Sequence, residues 1–341
     1  MIRLSSAGDV TMTVPVLHSF QNAFPSIKLT ILTKKQYGDL FYGLNADIIF
    51  AETKGEHKGF AGLYRLFKQI KKKGKIDGVA DLHNVIRSRI IGMMFRLSGI
   101  RVATIDKQRK EKKELTRKEE KLLRPLESNF IRYSKVFNQL GFQFNLRFQG
   151  LFNKEPLDAI ITNFTGSKTG KWVGVAPFAA FKWKEYPFDL LKKALVELYN
   201  RKDVKLIFFG GGESDGEMLD ELVKQFPGSV NMANKVSLIY ELKLMSQLDV
   251  MLAMDSANMH FASIVNIPVV SIWGATHPYL GFAPWQQPEA NQVQIALFCR
   301  PCSVYGNVEC YRGDHACMFG ISESMIIKHL EPHLSVPRLP S

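Results

Sequence analysis

Two rhythms of apolar and polar positions alternate along this chain. Short apolar runs of strand length fall at residues 2–4, 28–32, 46–51, 78–82 and 101–105. Between them lie stretches with apolar residues at helical spacing, 10–24, 62–73 and 85–97. The run at 2–4 is short, because Arg3-Leu4-Ser5-Ser6 leaves little to pair before the loop begins. Strands alternating with amphipathic helices predict a parallel sheet covered on both faces. Residues 107–150 are charged and then helical (129–140), and 151–170 carry Pro156, Asn163 and Gly166, which marks a linker. The rhythm then restarts with strands at 172–177, 204–209, 229–232, 249–253 and 268–273, separated by helices at 188–199, 217–226, 238–248 and 258–265. Two such halves predict an α/β chain of two Rossmann-like domains facing a cleft. The expected division is 1–155, 156–325 and a C-terminal helix and tail at 326–341. In sheets of this kind ligands sit at the carboxyl ends of the strands.

The most informative strand end is Met254-Asp255-Ser256-Ala257-Asn258-Met259-His260. A buried-strand pattern stops at Asp255-Ser256, both good N-caps, and a helical pattern follows. The start of a helix points its unpaired N–H groups at an anion, typically a phosphate, and His260 could add a donor one turn in. Asp-Ser before a helix is equally a plain cap. The same two readings hold for Ser5-Ser6-Ala7-Gly8-Asp9, where Gly8 allows a tight turn and Asp9 sits at a helix start facing the strand ends.

The longer strings decide between them. D-S-A-x-M-H-x-A-x(5)-P-V-V-S-I-W-G-x-T-x-P over 255–278 and R-L-S-S-x-G-D-V-x-x-T-x-P-V-L over 3–17 resemble the two signatures of glycosyltransferase family 9, the bacterial heptosyltransferases of lipopolysaccharide core synthesis. The resemblance implies the GT-B architecture. It also implies a cytoplasmic enzyme, peripheral at the inner membrane, that moves a heptose from ADP-heptose to an anionic, lipid-linked core acceptor with inversion. Asp9 matches the family's proposed general base, and the chemistry asks for one, since the attacking sugar hydroxyl must lose its proton. Lys184-Glu185-Tyr186-Pro187 resembles the family's K-x-W-P box with Tyr for Trp, which makes Lys184 the phosphate-facing lysine and Lys182 its competitor. Where family members carry hydroxyl or small residues, this chain has Ala179 and Ala180, so backbone N–H groups are expected to serve there. Ala257 stands where the family usually has Gly, and a slightly different turn is expected.

Donor-binding candidates are Glu213, Val236, Asp255, Ser256, Ala257 and His260. Glu213 follows three glycines after a strand, in a loop that is also readable as a surface turn; it does not form a nicotinamide fingerprint. D-L-x-x-x-x-R-S at 81–88 matches a family pattern and offers Arg87, with Arg89 nearby, for acceptor phosphates, or alternatively for capping and ion pairs.

The 341 residues carry 45 Lys and Arg against 32 Asp and Glu, a net charge of +13. Such a balance asks for an acidic partner: nucleic acid, an anionic membrane surface or a phosphorylated acceptor. Lys71 to Lys75 and Lys107 to Lys121 concentrate the charge, although Glu111, Glu114, Glu119 and Glu120 make the second stretch read as a solvated helix face. No nucleic-acid motif accompanies it, so none is expected as a partner. No uninterrupted apolar run reaches about 18 residues, and the N-terminus lacks the layout of a signal peptide. Cys299, Cys302, Cys310 and Cys317, spaced C-x(2)-C-x(7)-C-x(6)-C, read either as a structural zinc knuckle or as reduced packing cysteines. The reaction itself is expected to need no cofactor. The rival readings are a GT-B transferase with another donor and a basic nucleic-acid-binding protein.

Overall fold

The computed structural model describes residues 1–152 and 156–335, with the side chain of Glu213 excepted. It divides into two compact units, Met1–Arg109 with Glu127–Gln149, and Lys110–Leu126 with Gly150–Ser341. The sequence reading placed boundaries after residues 155 and 325. The stretch 110–126 instead belongs with the later part of the chain.

In the first unit, helices α1 (Ala7–Thr11) and α2 (Val14–Ala23) replace the single helix expected over 10–24. Pro15 has no N–H to give to the carbonyl of residue 11, so one helix cannot run through. Strands β1 (Leu29–Thr33) and β2 (Ala46–Phe50) pair in parallel, as do β3 (Gly78–Asp81) and β4 (Arg101–Thr104). Between the pairs, Ile2 alone bridges Leu32 on one side and Asp81 on the other. The Ile2 N–H donates to Ala80 (2.9 Å) and the Arg3 N–H to Leu32 (3.0 Å). The short first strand is thus a single-residue bridge at the centre of the order β2-β1-Ile2-β3-β4.

Helices α3 (Gly59–Lys72) and α4 (Ile86–Leu97) bury Leu63, Leu66, Phe67, Ile70, Ile91 and Phe95 against Ile2, Leu32 and Val79. Helix α5 (Arg109–Leu115) leads into 110–126. Helix α6 (Asn129–Gln139) starts at Ser128, whose hydroxyl accepts from the Ile131 N–H, and it packs Phe137 against Phe20 of α2 in a tilted pair with centroids 4.8 Å apart.

The second unit opens with α7 (Ala159–Thr165), capped by Asp158, in the stretch read as a linker. Its sheet is formed by β5 (Lys171–Ala176), β6 (Val204–Phe208), β7 (Val230–Asn231), β8 (Val250–Met254), β9 (Val269–Ile272) and β10 (Gln292–Val293). All pairings are parallel, in the order β10-β9-β8-β5-β6-β7. Helices α8 (Phe188–Tyr199), α9 (Glu213–Gln225), α10 (Leu238–Met245), α11 (Ala257–Ile264), α12 (Ala316–Phe319) and α13 (Glu323–Leu334) complete it. β8 is buried at every position, as its uninterrupted apolar run predicts for a central parallel strand. Ile326, Leu330 and Leu334 of α13 join the same core as β5, β6 and β8, so this helix is an integral part of the second unit.

The chain winds outward from β5 through β6 and β7, then returns to β8 beside β5 and winds the other way. The crevice at such a reversal, beyond the ends of β5 and β8, is where a parallel sheet holds its ligand. It receives the loop 177–187 and the Asp255 corner together. In the first unit the reversal lies at Ile2 and β3, which brings the Ser5–Asp9 turn beside the Asp81–Ser88 turn.

Candidate active site

In the second unit, Asp255 directly follows β8 and Ser256 stands at the N-cap position of α11. The Lys184 ammonium lies 3.1 Å from Oδ2 of Asp255, and both side chains are largely buried. The Thr276 hydroxyl, from the turn after β9, donates to the same oxygen at 2.8 Å. The carboxylate therefore orients a lysine and a hydroxyl at the strand ends. Lys182, the competitor, sets its ammonium 5.8 Å from the Trp183 ring centre and makes no such ion pair among the described residues. Gly306 makes room for Lys184: a Cβ there would fall 2.3 Å from the lysine Cγ, and its φ of +73° suits only glycine comfortably.

Ser256 Oγ is buried and has no hydrogen-bond partner among the described residues, beside the first N–H groups of α11. His260 lies buried one turn in. A buried hydroxyl, a lysine and a helix start supply donors and positive potential at one point, which is what a diphosphate requires. Ala257 is the first residue of α11 and is absent from the residues with positive φ. The turn needs no glycine at this position, since its first helical residue has ordinary backbone angles. Ala257→Gly is expected to lower stability by about 0.5–1 kcal/mol, read as a shift in the denaturant midpoint.

Two further expectations change. The Ala179 N–H is given to the Glu185 carboxylate at 3.0 Å, so it does not serve as the spare backbone donor anticipated there. Tyr186, in the place of the family's Trp, is buried, and its hydroxyl donates to the Ile321 carbonyl at 2.7 Å; it is a core anchor. Val236 is half-buried in the turn before α10. Glu213 opens α9, and its side chain lies outside the described residues.

The turn after β9 is fixed by buried Arg300, whose Nε and NH2 donate to Gly274 (2.6 Å) and Thr276 (3.0 Å) carbonyls. Lys121 donates to the carbonyls of Cys299 (2.6 Å) and Pro301 (2.8 Å), and buried Lys112 sets its ammonium 4.3 Å from the Phe282 ring centre. Part of the basic stretch 107–121 is therefore structural and not a solvated face. Cys299, Cys302, Cys310 and Cys317 are free thiols. Among the described residues no group of three or more His, Cys, Asp or Glu is placed to hold a metal ion. Burial pushes the Cys302 thiol up to about 11 and the Cys317 thiol up to about 12.

Glu241 in α10 was not anticipated. Burial raises its carboxyl from 4.5 to about 8. The unfolded chain releases this proton from about pH 4.5 upward while the folded chain keeps it to about 8, so stability falls as pH rises through that window. The slope has an upper bound of about 1.4 kcal/mol per pH unit. Glu241→Gln is expected to flatten this loss and raise Tm at pH 8 relative to the parent, with little difference at pH 4.

In the first unit, Asp9 lies in α1. Its Oδ2 accepts from the Ser6 hydroxyl (2.9 Å) and more weakly from the Ser6 N–H (3.4 Å), so it does take part in the helix start. Arg3, buried, places NH2 2.6 Å from the same oxygen and NH1 2.6 Å from the Leu82 carbonyl. Tyr133 donates to the Asp9 carbonyl at 3.3 Å. His83 lies 3.4 Å from Ser5 Oγ, and burial with Arg3 and Lys107 nearby drives its imidazole down to about 3, neutral at any working pH. Arg132 of α6 is buried in the charge field of Asp9, and its Nε and NH2 have no hydrogen-bond partner among the described residues. Arg3, Lys107 and Arg132 therefore form a cationic surround for Asp9. None was singled out from sequence as a site residue; Arg3 figured only in the first strand and the signature string, and Lys107 only at the head of the basic stretch.

Asp81 has a structural task. It accepts from the N–H groups of His83 (3.0 Å) and Asn84 (2.9 Å) and from Ser88 Oγ (3.0 Å), closing the turn into α4. Arg87 and Arg89 are exposed on the first turns of α4, with no ion pair recorded among the described residues.

A glycosyl transferase family 9 structure from Veillonella parvula matches with a TM-score of 0.75 over 98% of this chain and 96% of that one, at 22% identity. The structure of E. coli ADP-heptose lps heptosyltransferase II matches with a TM-score of 0.71 over 98% and 97%, at 17% identity. The fold is that of the GT-B glycosyltransferases. The sequence profile of glycosyltransferase family 9 (heptosyltransferase) matches residues 63–311. Lipooligosaccharide heptosyltransferase 2 of Campylobacter jejuni is 25% identical over 339 residues, 97% of this chain and 96% of that protein. The chain belongs to glycosyltransferase family 9 and is a glycosyltransferase.

Proposed function

We propose that the protein transfers a heptose from ADP-heptose to a lipid-linked lipopolysaccharide-core acceptor by direct displacement with inversion. The observation that carries this reading is the Lys184–Asp255–Thr276 cluster beside the unpartnered Ser256 hydroxyl, at the reversal of the second sheet. In this reading Lys184, Ser256, His260 and the start of α11 hold the diphosphate, with Val236 and Glu213 toward the nucleoside. The acceptor oxygen forms a bond to the anomeric carbon as that carbon's bond to the diphosphate breaks. The hydroxyl proton passes to the Asp9 carboxylate, and ADP leaves with its new negative charge met by the lysine and the helix dipole. That electrostatic arrangement calls for no metal in the transfer step.

The cations around Asp9 suit an acceptor bearing phosphate or carboxylate groups, with Arg87 and Arg89 engaging it from α4. The names of the relatives support a heptose donor and a lipopolysaccharide acceptor. The test is incubation with ADP-heptose and a heptose-free core acceptor, followed by mass spectrometry. One heptose added and ADP released in equal amount is expected. Transfer from a UDP-sugar, with none from ADP-heptose, would overturn the donor assignment.

A further inference from the structure

The outward sides of α3 and α4 have a composition that burial against the first sheet does not explain. In α4 the inward face is Ser88, Ile91, Gly92 and Phe95. Residues at 86, 90, 93 and 97 follow helical spacing on the opposite side. They are Ile86, Ile90, Met93 and Leu97; Ile90 is half-buried and packs against the core of the first unit, while Ile86 is 77% exposed, Met93 57% and Leu97 83%. A soluble helix normally presents polar residues there. Arg89 and Arg96 flank this stripe on one side and Arg87 on the other.

The neighbouring α3 repeats the pattern. Phe60 is 70% exposed and Tyr64, one turn on, is 45% exposed, with the Lys68 ammonium 4.7 Å from the tyrosine ring centre. Phe67 of α3 meets Phe95 of α4 edge-on at 4.8 Å, and both helices lie on one core, so their outer sides share one surface. The two helices carry Arg65, Lys68, Lys71, Lys72, Arg87, Arg89 and Arg96 and contain no Asp or Glu.

We infer that this α3–α4 face docks on an anionic phospholipid bilayer. Its apolar side chains enter the boundary between headgroups and acyl chains, and Arg96 and the lysines of α3 meet lipid phosphates. A second copy of this chain is a poor occupant, because joining two such faces would bring together the like charges of helices that carry no carboxylate of their own. A nucleic acid would leave Ile86, Met93 and Leu97 without a function. The docking gives the proposed lipid-linked acceptor a surface from which to be reached, and it rests on that reading for its purpose alone, since bilayer binding is measured without any sugar transfer.

The experiment is co-sedimentation of the full chain with phosphatidylcholine vesicles, with and without phosphatidylglycerol. Binding is expected only to the anionic vesicles and should weaken as salt is raised. Met93→Ser with Leu97→Ser is expected to reduce that binding by about tenfold or more, and Lys68→Glu with Lys72→Glu to do the same. Transfer to a soluble, deacylated acceptor should stay at the parent rate in both variants, which separates a failure of docking from a failure of the proposed activity. Variants that bind anionic vesicles like the parent would overturn the inference. So would a parent that stays in the supernatant, or a dimer that Met93→Ser with Leu97→Ser dissolves in the absence of vesicle binding.

Discussion

Asp9→Asn is expected to lower the transfer rate by about 10²–10⁴-fold, with the dissociation constant for ADP unchanged within about a factor of two. The amide keeps an acceptor for Ser6 and a similar volume, so the α1 start survives, but it takes no proton from the attacking hydroxyl. Removing the charge also leaves buried Arg3 short of its ion-pair partner at 2.6 Å. A drop in Tm is therefore expected alongside the kinetic loss. Rates should be compared well below the lower Tm, so that the loss of turnover is not a loss of folded protein. Parent-level transfer by Asp9→Asn would take the carboxylate out of the reaction and leave it the helix-start role its contacts already give it.

The second large effect is expected at Lys184. Lys184→Met should weaken ADP binding and lower the transfer rate by about 10²–10³-fold, the scale on which a positioned donor to a developing charge acts. It also strands the Asp255 carboxylate, which keeps the Thr276 hydroxyl but loses its cation at 3.1 Å. A buried charge without its partner costs about 3–5 kcal/mol. Combining Lys184→Met with Asp255→Asn removes the stranded charge, so stability is expected to return while ADP binding does not. That split separates a lysine that binds the donor from one that only balances Asp255. Recovery of ADP binding in the double variant would show that the ion pair is structural alone.

These contacts bear on what the chain disclosed before folding. The apolar runs of the second unit map onto β5, β6, β8 and β9 within a residue or so, because buried parallel strands are continuous apolar segments. The strand end and helix start around Asp255 were legible because they are local in sequence. The choice of Lys184 over Lys182 needed more than spacing: the ion pair with Asp255 and the room left by Gly306 are both long-range.

What was least legible is the company Asp9 keeps. Arg132 sits among Phe130, Tyr133, Val136 and Phe137 on a helix whose pattern reads as ordinary core packing, and only the fold turns its guanidinium toward the Asp9 field. The Glu241 carboxyl was hidden for the same reason, since desolvation is a property of the packed state. The stretch 110–126 carried a charge pattern of solvent exposure, yet Lys112 and Lys121 are spent on Phe282 and on the carbonyls of Cys299 and Pro301. Lysine stems cover apolar surface while their ammonium groups find carbonyls, and a one-dimensional charge count does not register that. Helix α7 was missed because its apolar residues fall inside a segment dominated by turn formers.

The proposal that the second unit grips an adenosine diphosphate is tested most directly by calorimetric titration of the full-length protein with ADP, UDP and GDP in turn. The account predicts saturable ADP binding at a one-to-one ratio, at least about tenfold tighter than UDP or GDP, and its loss in Lys184→Met. Equal affinity for all three, a preference for UDP, or ADP binding untouched by Lys184→Met would contradict it.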